Sequence, residues 1–151
     1  MAKKPKSYWN TRKRTKLTLA QGSLKGVLWQ QDNGVSQTPE THLETLTNFV
    51  VKLRSDFADT SLPFVTGQLH DSPKINAEIV KLPQTIHGTA YASSQGLTTA
   101  DCTHFDSRSQ LLLGERYAEQ MIQLQQKRYA ASPLWPRPTS SSSIPTSMPW
   151  F

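Results

Sequence analysis

Apolar and polar positions follow two alternating rhythms along residues 22–127, short compact runs and longer stripes spaced by three and four. Residues 24–29 (LKGVLW) form a run rich enough in apolar and branched side chains for a buried strand. The loop QQDNGVSQ follows, with Asn33-Gly34 as turn chemistry. Thr38 then stands where a helix cap is expected, with Pro39 at the first helical position and the acid Glu40 in the first turn. Leu43, Leu46, Val50, Leu53 and Phe57 make one apolar stripe, which predicts a helix to about Asp56, with His42 on its solvated side.

The alternation continues downstream. Residues 62–69 (LPFVTGQL) predict a second strand, with Pro63 at its start. A short helix is expected over 73–82 through Ile75, Ile79 and Leu82, stopped by Pro83, and residues 88–93 (GTAYAS) predict a third strand. Ser107 opens the last helix, with Gln110 three residues on completing a capping box. Leu113, Tyr117, Met121 and Leu124 supply its stripe, and Gly114, which costs about 1 kcal/mol relative to Ala, suggests close packing there. Strands alternating with helices predict an α/β fold with parallel strands. Three strands are few for a doubly wound sheet, so residues 22–127 read as part of a domain.

Composition and charge change the picture at the two ends. The chain has 151 residues and 17.0 kDa, room for one ordinary domain, and 36% hydrophobic residues. Its net charge of +6 is unevenly spread, because eight of the 17 basic residues precede the first acid, Asp32. From there on, the remaining nine face 11 acids. Residues 1–21 therefore read as a basic arm, disordered in itself and able to touch nucleic acid or an anionic surface, although nucleic-acid binding is not the expected role. The arm has no apolar stretch of secretory-signal type, and no run of 18 apolar residues exists anywhere. From residue 128 the chain turns into a Pro/Ser-rich tail carrying Trp135, Trp150 and Phe151, expected to be flexible.

Few residues invite chemistry. The single cysteine, Cys102, excludes an intrachain disulfide and a Cys-based zinc site. His42, His70 and His87 lack metal-ligand spacing, and Asp71 reads as turn chemistry, so no metal or organic cofactor is expected. Asp101 and His104 stand three apart in ADCTHFD, in a loop expected at the carboxyl ends of the strands. An acid so placed can accept a hydrogen bond from one imidazole nitrogen and leave the other to take a proton from a nucleophile. Cys102 sits between them, but a residue two before its own base can seldom aim along the ring nitrogen, so it reads as an inert thiol.

The segment GLTTADCTHFDSRSQLLLGERYAEQM resembles the last block of the SGNH hydrolases, in particular carbohydrate esterase family six and the sialate O-acetylesterase group. A D-x-x-H-F-D segment followed by S-x-x-x-x-G-x-R-Y-A reads here as Asp101, His104, Phe105, Asp106, Ser109, Gly114, Arg116, Tyr117 and Ala118. LKGVLWQQ resembles the family's strand ending in G-V-L-W-x-Q-G-E, and LRSDFADTSLPFVTGQL its next helix-to-strand passage. The resemblance covers about residues 22–124. It implies a partial three-layer, flavodoxin-like parallel sheet that lacks its first strand or strands.

That resemblance also implies roles. His104 is the general base, Asp101 orients and stabilises its imidazolium, and Gln31 donates a side-chain N–H to the oxyanion. The implied substrate is an O-acetyl ester on a sugar. The family's nucleophilic serine lies in a block before the first matched strand. Here the only serines before Gln31, Ser7 and Ser23, lack G-x-S surroundings, so no nucleophile is expected in this chain. The family's Gly-Glu is replaced by Asp32-Asn33. An Asp32 carboxylate about 5 Å from an oxyanion would repel it by roughly 3 kcal/mol, roughly a hundredfold in rate. The expectation is an inactive or fragmentary esterase relative, or a non-catalytic remnant that binds a glycan or a protein. An incomplete sheet also predicts self-association through its exposed edge.

Overall fold

The computed structural model describes residues 6–31 and 38–131, and it is α/β. Three parallel strands, β1 (Val27–Trp29), β2 (Phe64–Gly67) and β3 (Thr89–Ala92), form one sheet in the order β1-β2-β3. Val27 stands opposite Phe64, and Phe64 opposite Thr89. Among the described residues these three strands are surrounded by four helices: α1 (Lys6–Thr18), α2 (Pro39–Asp56), α3 (Pro73–Thr85) and α4 (Ser107–Ala130).

The pleat of β2 divides the core in two. Phe64 points to one face, where it meets Leu46, Val50 and Leu53 of α2 and Leu82 of α3. Val65 points to the other, where it meets Leu113 and Tyr117 of α4 together with Ala90, Ala92 and Leu97. All four residues of β2 are buried, as befits the central strand of a sheet covered on both faces. At the start of β2 the buried Arg54 donates to the carbonyls of Leu62, His87 and Gly88. One guanidinium thereby ties the entries of β2 and β3 to the end of α2.

Several expectations need correction. The basic arm is not disordered throughout, because residues 6–18 are helical. No Gly or Pro interrupts that segment, and Tyr8 fixes it by donating to the Asp56 carboxylate at the end of α2. Arg12 Nε adds an ion pair to Asp56 Oδ1 at 3.2 Å, and the Tyr8 ring meets Phe49 edge-on. Burial, with help from the Asp56 carboxylate, pushes the Tyr8 phenol up to about 12, so it stays a donor at all working pH values.

His42 is also corrected: it is 1% exposed and not solvated. It lies on the flank of α2 that α3 covers, which one-helix periodicity does not show. α3 runs past Pro83 to Thr85, since in the last turn a proline forfeits only one intrahelical bond. Buried Leu82 and half-buried Ile86 hold that turn to the core, and the Ile86 N–H still reaches the Leu82 carbonyl. The cap of α4 is Asp106, which accepts from Ser109 N–H at 2.8 Å, while Ser107 is the first helical residue. Gln110 donates instead to the Phe105 carbonyl, so no Ser107–Gln110 capping box forms. Thr38 caps α2 by position, without a side-chain bond. Gly114 faces open space, not a packed neighbour. α4 runs to Ala130, because no proline follows Ser107 before Pro133, so residues 128–130 are helical and not the start of the tail. The Asp32-Asn33 pair and the tail from 132 lie outside the described residues.

Candidate active site

Residues 99–105 leave β3 and return to α4 as a closed loop. Its base is a single antiparallel bridge between Thr99 and Phe105, and Ala100 N–H donates to the His104 carbonyl at 2.9 Å. At its tip Cys102 takes a left-handed backbone (φ 66°), which turns the chain tightly enough for Asp101 to face the residues after it. Asp101 Oδ1 accepts from the backbone N–H groups of Thr103 (3.1 Å) and His104 (2.7 Å). Its Oδ2 lies 2.7 Å from His104 Nδ1.

These donors act on the carboxylate together. The His104 backbone N–H foremost, then its ring and the Thr103 N–H, pull the Asp101 carboxyl down to about 2. An ionised carboxylate only accepts, so Nδ1 carries a proton and Nε2 is the nitrogen that can gain or lose one. Both side chains are exposed, 70% for His104 and 56% for Asp101. The hydrogen-bond geometry, not burial, holds the imidazole.

The flanks of the loop are fastened by residues of α4. Thr98 Oγ1 donates to the Asp106 carboxylate, and Thr98 N–H donates to the buried Ser109 Oγ at 2.9 Å. The Thr98 hydroxyl, ahead of the Ser109 N–H, lowers the Asp106 pKa. Two turns further, Arg116 donates to the carbonyls of Ser93 (2.7 Å) and Gln95 (2.9 Å), the stretch leaving β3. Asp106, Ser109 and Arg116 thus serve to hold the Asp101–His104 loop against α4.

The end of β1 supplies the opposing wall. Tyr117 Oη donates to the Trp29 carbonyl at 2.6 Å and stands 2.8 Å from Gln30 Oε1. Burial raises its pKa, so the phenol stays protonated and can make these bonds. Glycine is needed beneath them, since a Cβ at Gly67 would lie 2.0 Å from Gln30 Oε1 and 2.3 Å from Tyr117 Oη. Between the two walls is a pocket of about 430 Å³ lined by Gln30, Gln31, His104, Phe105, Gly114 and Tyr117, among others.

Of the residues singled out from sequence, Gln31 and His104 line this pocket and Asp101 stands behind the imidazole. Cys102 is exposed at the loop tip and is not part of the lining. No serine among the described residues lines the pocket, and Ser23 is exposed ahead of β1. The apolar stripe of α4 predicts that Tyr117 faces the core but carries no sign of its bonds to the end of β1. The stripes do not single out Gln30, although a polar residue directly after a strand-end Trp is a signal that points to it.

The model of one protein family, carbohydrate esterase, sialic acid-specific acetylesterase, matches residues 1–123. The crystal structure of a protein from Arabidopsis thaliana is similar in fold, with a TM-score of 0.71 at 21% identity. The alignment covers 80% of this chain and 54% of that one, so this chain spans about half the length of the solved relative. No curated protein matches the chain.

Proposed function

The chain belongs to the carbohydrate esterase, sialic acid-specific acetylesterase family, and on that premise we propose that its pocket receives an O-acetylated carbohydrate. His104 is then the general base, Asp101 the residue that orients it and stabilises its charged form, and Gln31 the donor toward an ester carbonyl that gains negative charge. The observation that carries this reading is the 2.7 Å contact between Asp101 Oδ2 and His104 Nδ1 on the wall opposite Gln31.

A base needs a nucleophile to activate. The described lining contains none of the serines, and neither Ser7 nor Ser23 has the surroundings of a nucleophilic turn. We therefore read the chain by itself as unable to turn over an ester, with the base half of the machinery present. The same observation favours a second reading, in which the pocket binds the acetylated sugar and releases it unchanged.

Two measurements test this. Titration of the chain with an O-acetylated sialic acid should perturb the NMR signals of Gln31 and His104, and silence at both would overturn the substrate assignment. With an aryl acetate, the chain and its His104→Ala variant should release phenol at the same background rate. Phenol release that disappears in the variant would overturn the absence of a nucleophile.

A further inference from the structure

The first helix presents a surface that the pocket does not use. α1 contains no acidic residue, and none of its described residues lines the pocket beside His104. On its outer side Trp9, Lys13 and Lys16 recur at spacings of four and three, so they share one face. With Asn10, Arg12 and Leu17 they surround a surface hollow of about 410 Å³. The Arg12 guanidinium lies 5.0 Å from the centre of the Trp9 ring, which is 37% exposed. Arg12 is paired with Asp56, whereas Lys13, Arg14 and Lys16 make no ion pair among the described residues. Tyr8, about 100° round the helix from Trp9, anchors α1 on Asp56 and Phe49, while Lys13 and Lys16 remain exposed.

We infer that the outward face of α1 is a docking surface for an anionic polysaccharide, its sugar ring against the Trp9 indole and its carboxylates on Lys13 and Lys16. The placing of the aromatic among the cations carries the argument. A helix that lies in a lipid surface separates its apolar face from its cationic one. Here Trp9 sits between cations on the same face, which suits a polymer bearing flat apolar patches and charges side by side. The indole gives a broad apolar plane to the C–H face of a pyranose, Asn10 an amide for hydroxyls, and the lysines point charges for carboxylates. The choice of a sugar polymer over another polyanion rests on the reading of the pocket as a carbohydrate site. The surface would retain a long glycan while a separate part of it reached the pocket.

The test uses the full chain with two carboxylated polymers, polysialic acid and polygalacturonate, beside neutral dextran and a dT20 oligonucleotide. At least one of the acidic polysaccharides should bind, more weakly as salt rises, and dextran should not. Lys13→Glu with Lys16→Glu should weaken that binding by about tenfold or more, and Trp9→Ala by about threefold with an unchanged salt dependence. Polymer stripped of O-acetyl groups does not engage the pocket, and His104→Ala should bind it as the unaltered chain does. Failure of both acidic polymers, insensitivity to Trp9→Ala, or tighter binding of dT20 would each overturn the proposal. Loss of polymer binding in His104→Ala would overturn the separateness of the two surfaces. If the pocket fails its own titration while polymer binding still depends on Lys13 and Lys16, the pocket reading falls and the docking surface stands.

Discussion

The two faces of the sheet are covered very differently. On one, α2 and α3 lie side by side with α1 braced on the end of α2, and their side chains close over Phe64. On the other, α4 alone spans the strands. A single helix is about 10 Å wide, whereas three strands about 4.8 Å apart occupy roughly 14 Å, so one helix leaves part of the sheet uncovered. What it leaves open is the side toward β1. Leu28 points there and is 57% exposed. The candidate site lies on this thinly covered face, between the loop held by α4 and the end of β1. Thick packing makes the scaffold, and the uncovered flank makes room for a ligand.

Mutations should separate the faces. Leu82→Ala, at a fully buried position under the two-helix layer, should cost about 2–5 kcal/mol in urea unfolding. A loss below about 1 kcal/mol would show that this face is not the main source of stability. Gly67→Ala, under the α4 face, should cost about 1–3 kcal/mol, because buried Tyr117 cannot move aside as exposed Gln30 can. It should also disturb the Gln30 and Gln31 signals while leaving those of α3 in place.

The pH dependence around the histidine range, above that of the carboxylates, should belong to the first face. Burial lowers the His42 pKa, opposed by Glu78, so the unfolded chain binds the proton more readily than the folded one. Stability is then full above the unfolded value near 6.5 and falls as pH drops through it, by at most about 1.4 kcal/mol per pH unit. His42→Leu should flatten that slope, and an unchanged slope would assign it elsewhere. The smallest effect on stability is expected at the edge. Leu28→Lys should stay within about 0.5 kcal/mol and yet shift sedimentation toward the monomer, if β1 is where copies associate. Unaltered association would place the contact on another surface.

How much of this was legible depended on distance along the chain. The order of strands and helices, their parallel arrangement and the stripes of α2 and α4 follow from short-range periodicity, because apolar faces repeat every two residues in a strand and every three to four in a helix. The Asp101–His104 contact was legible for the same reason, since three residues in a tight loop bring a carboxylate to an imidazole. The burial of His42, the docking of α1 through Tyr8 and the tie from Tyr117 to the end of β1 were not. Each depends on which surface arrives from elsewhere in the chain, 48 residues away for Tyr8 and 88 for Tyr117, and local pattern carries no information about that. The sequence by itself determined which elements form and which side chains could do chemistry. Only the tertiary structure decided which polar groups would be buried and which would face one another across a pocket, because burial belongs to the pair of surfaces that meet and not to either alone.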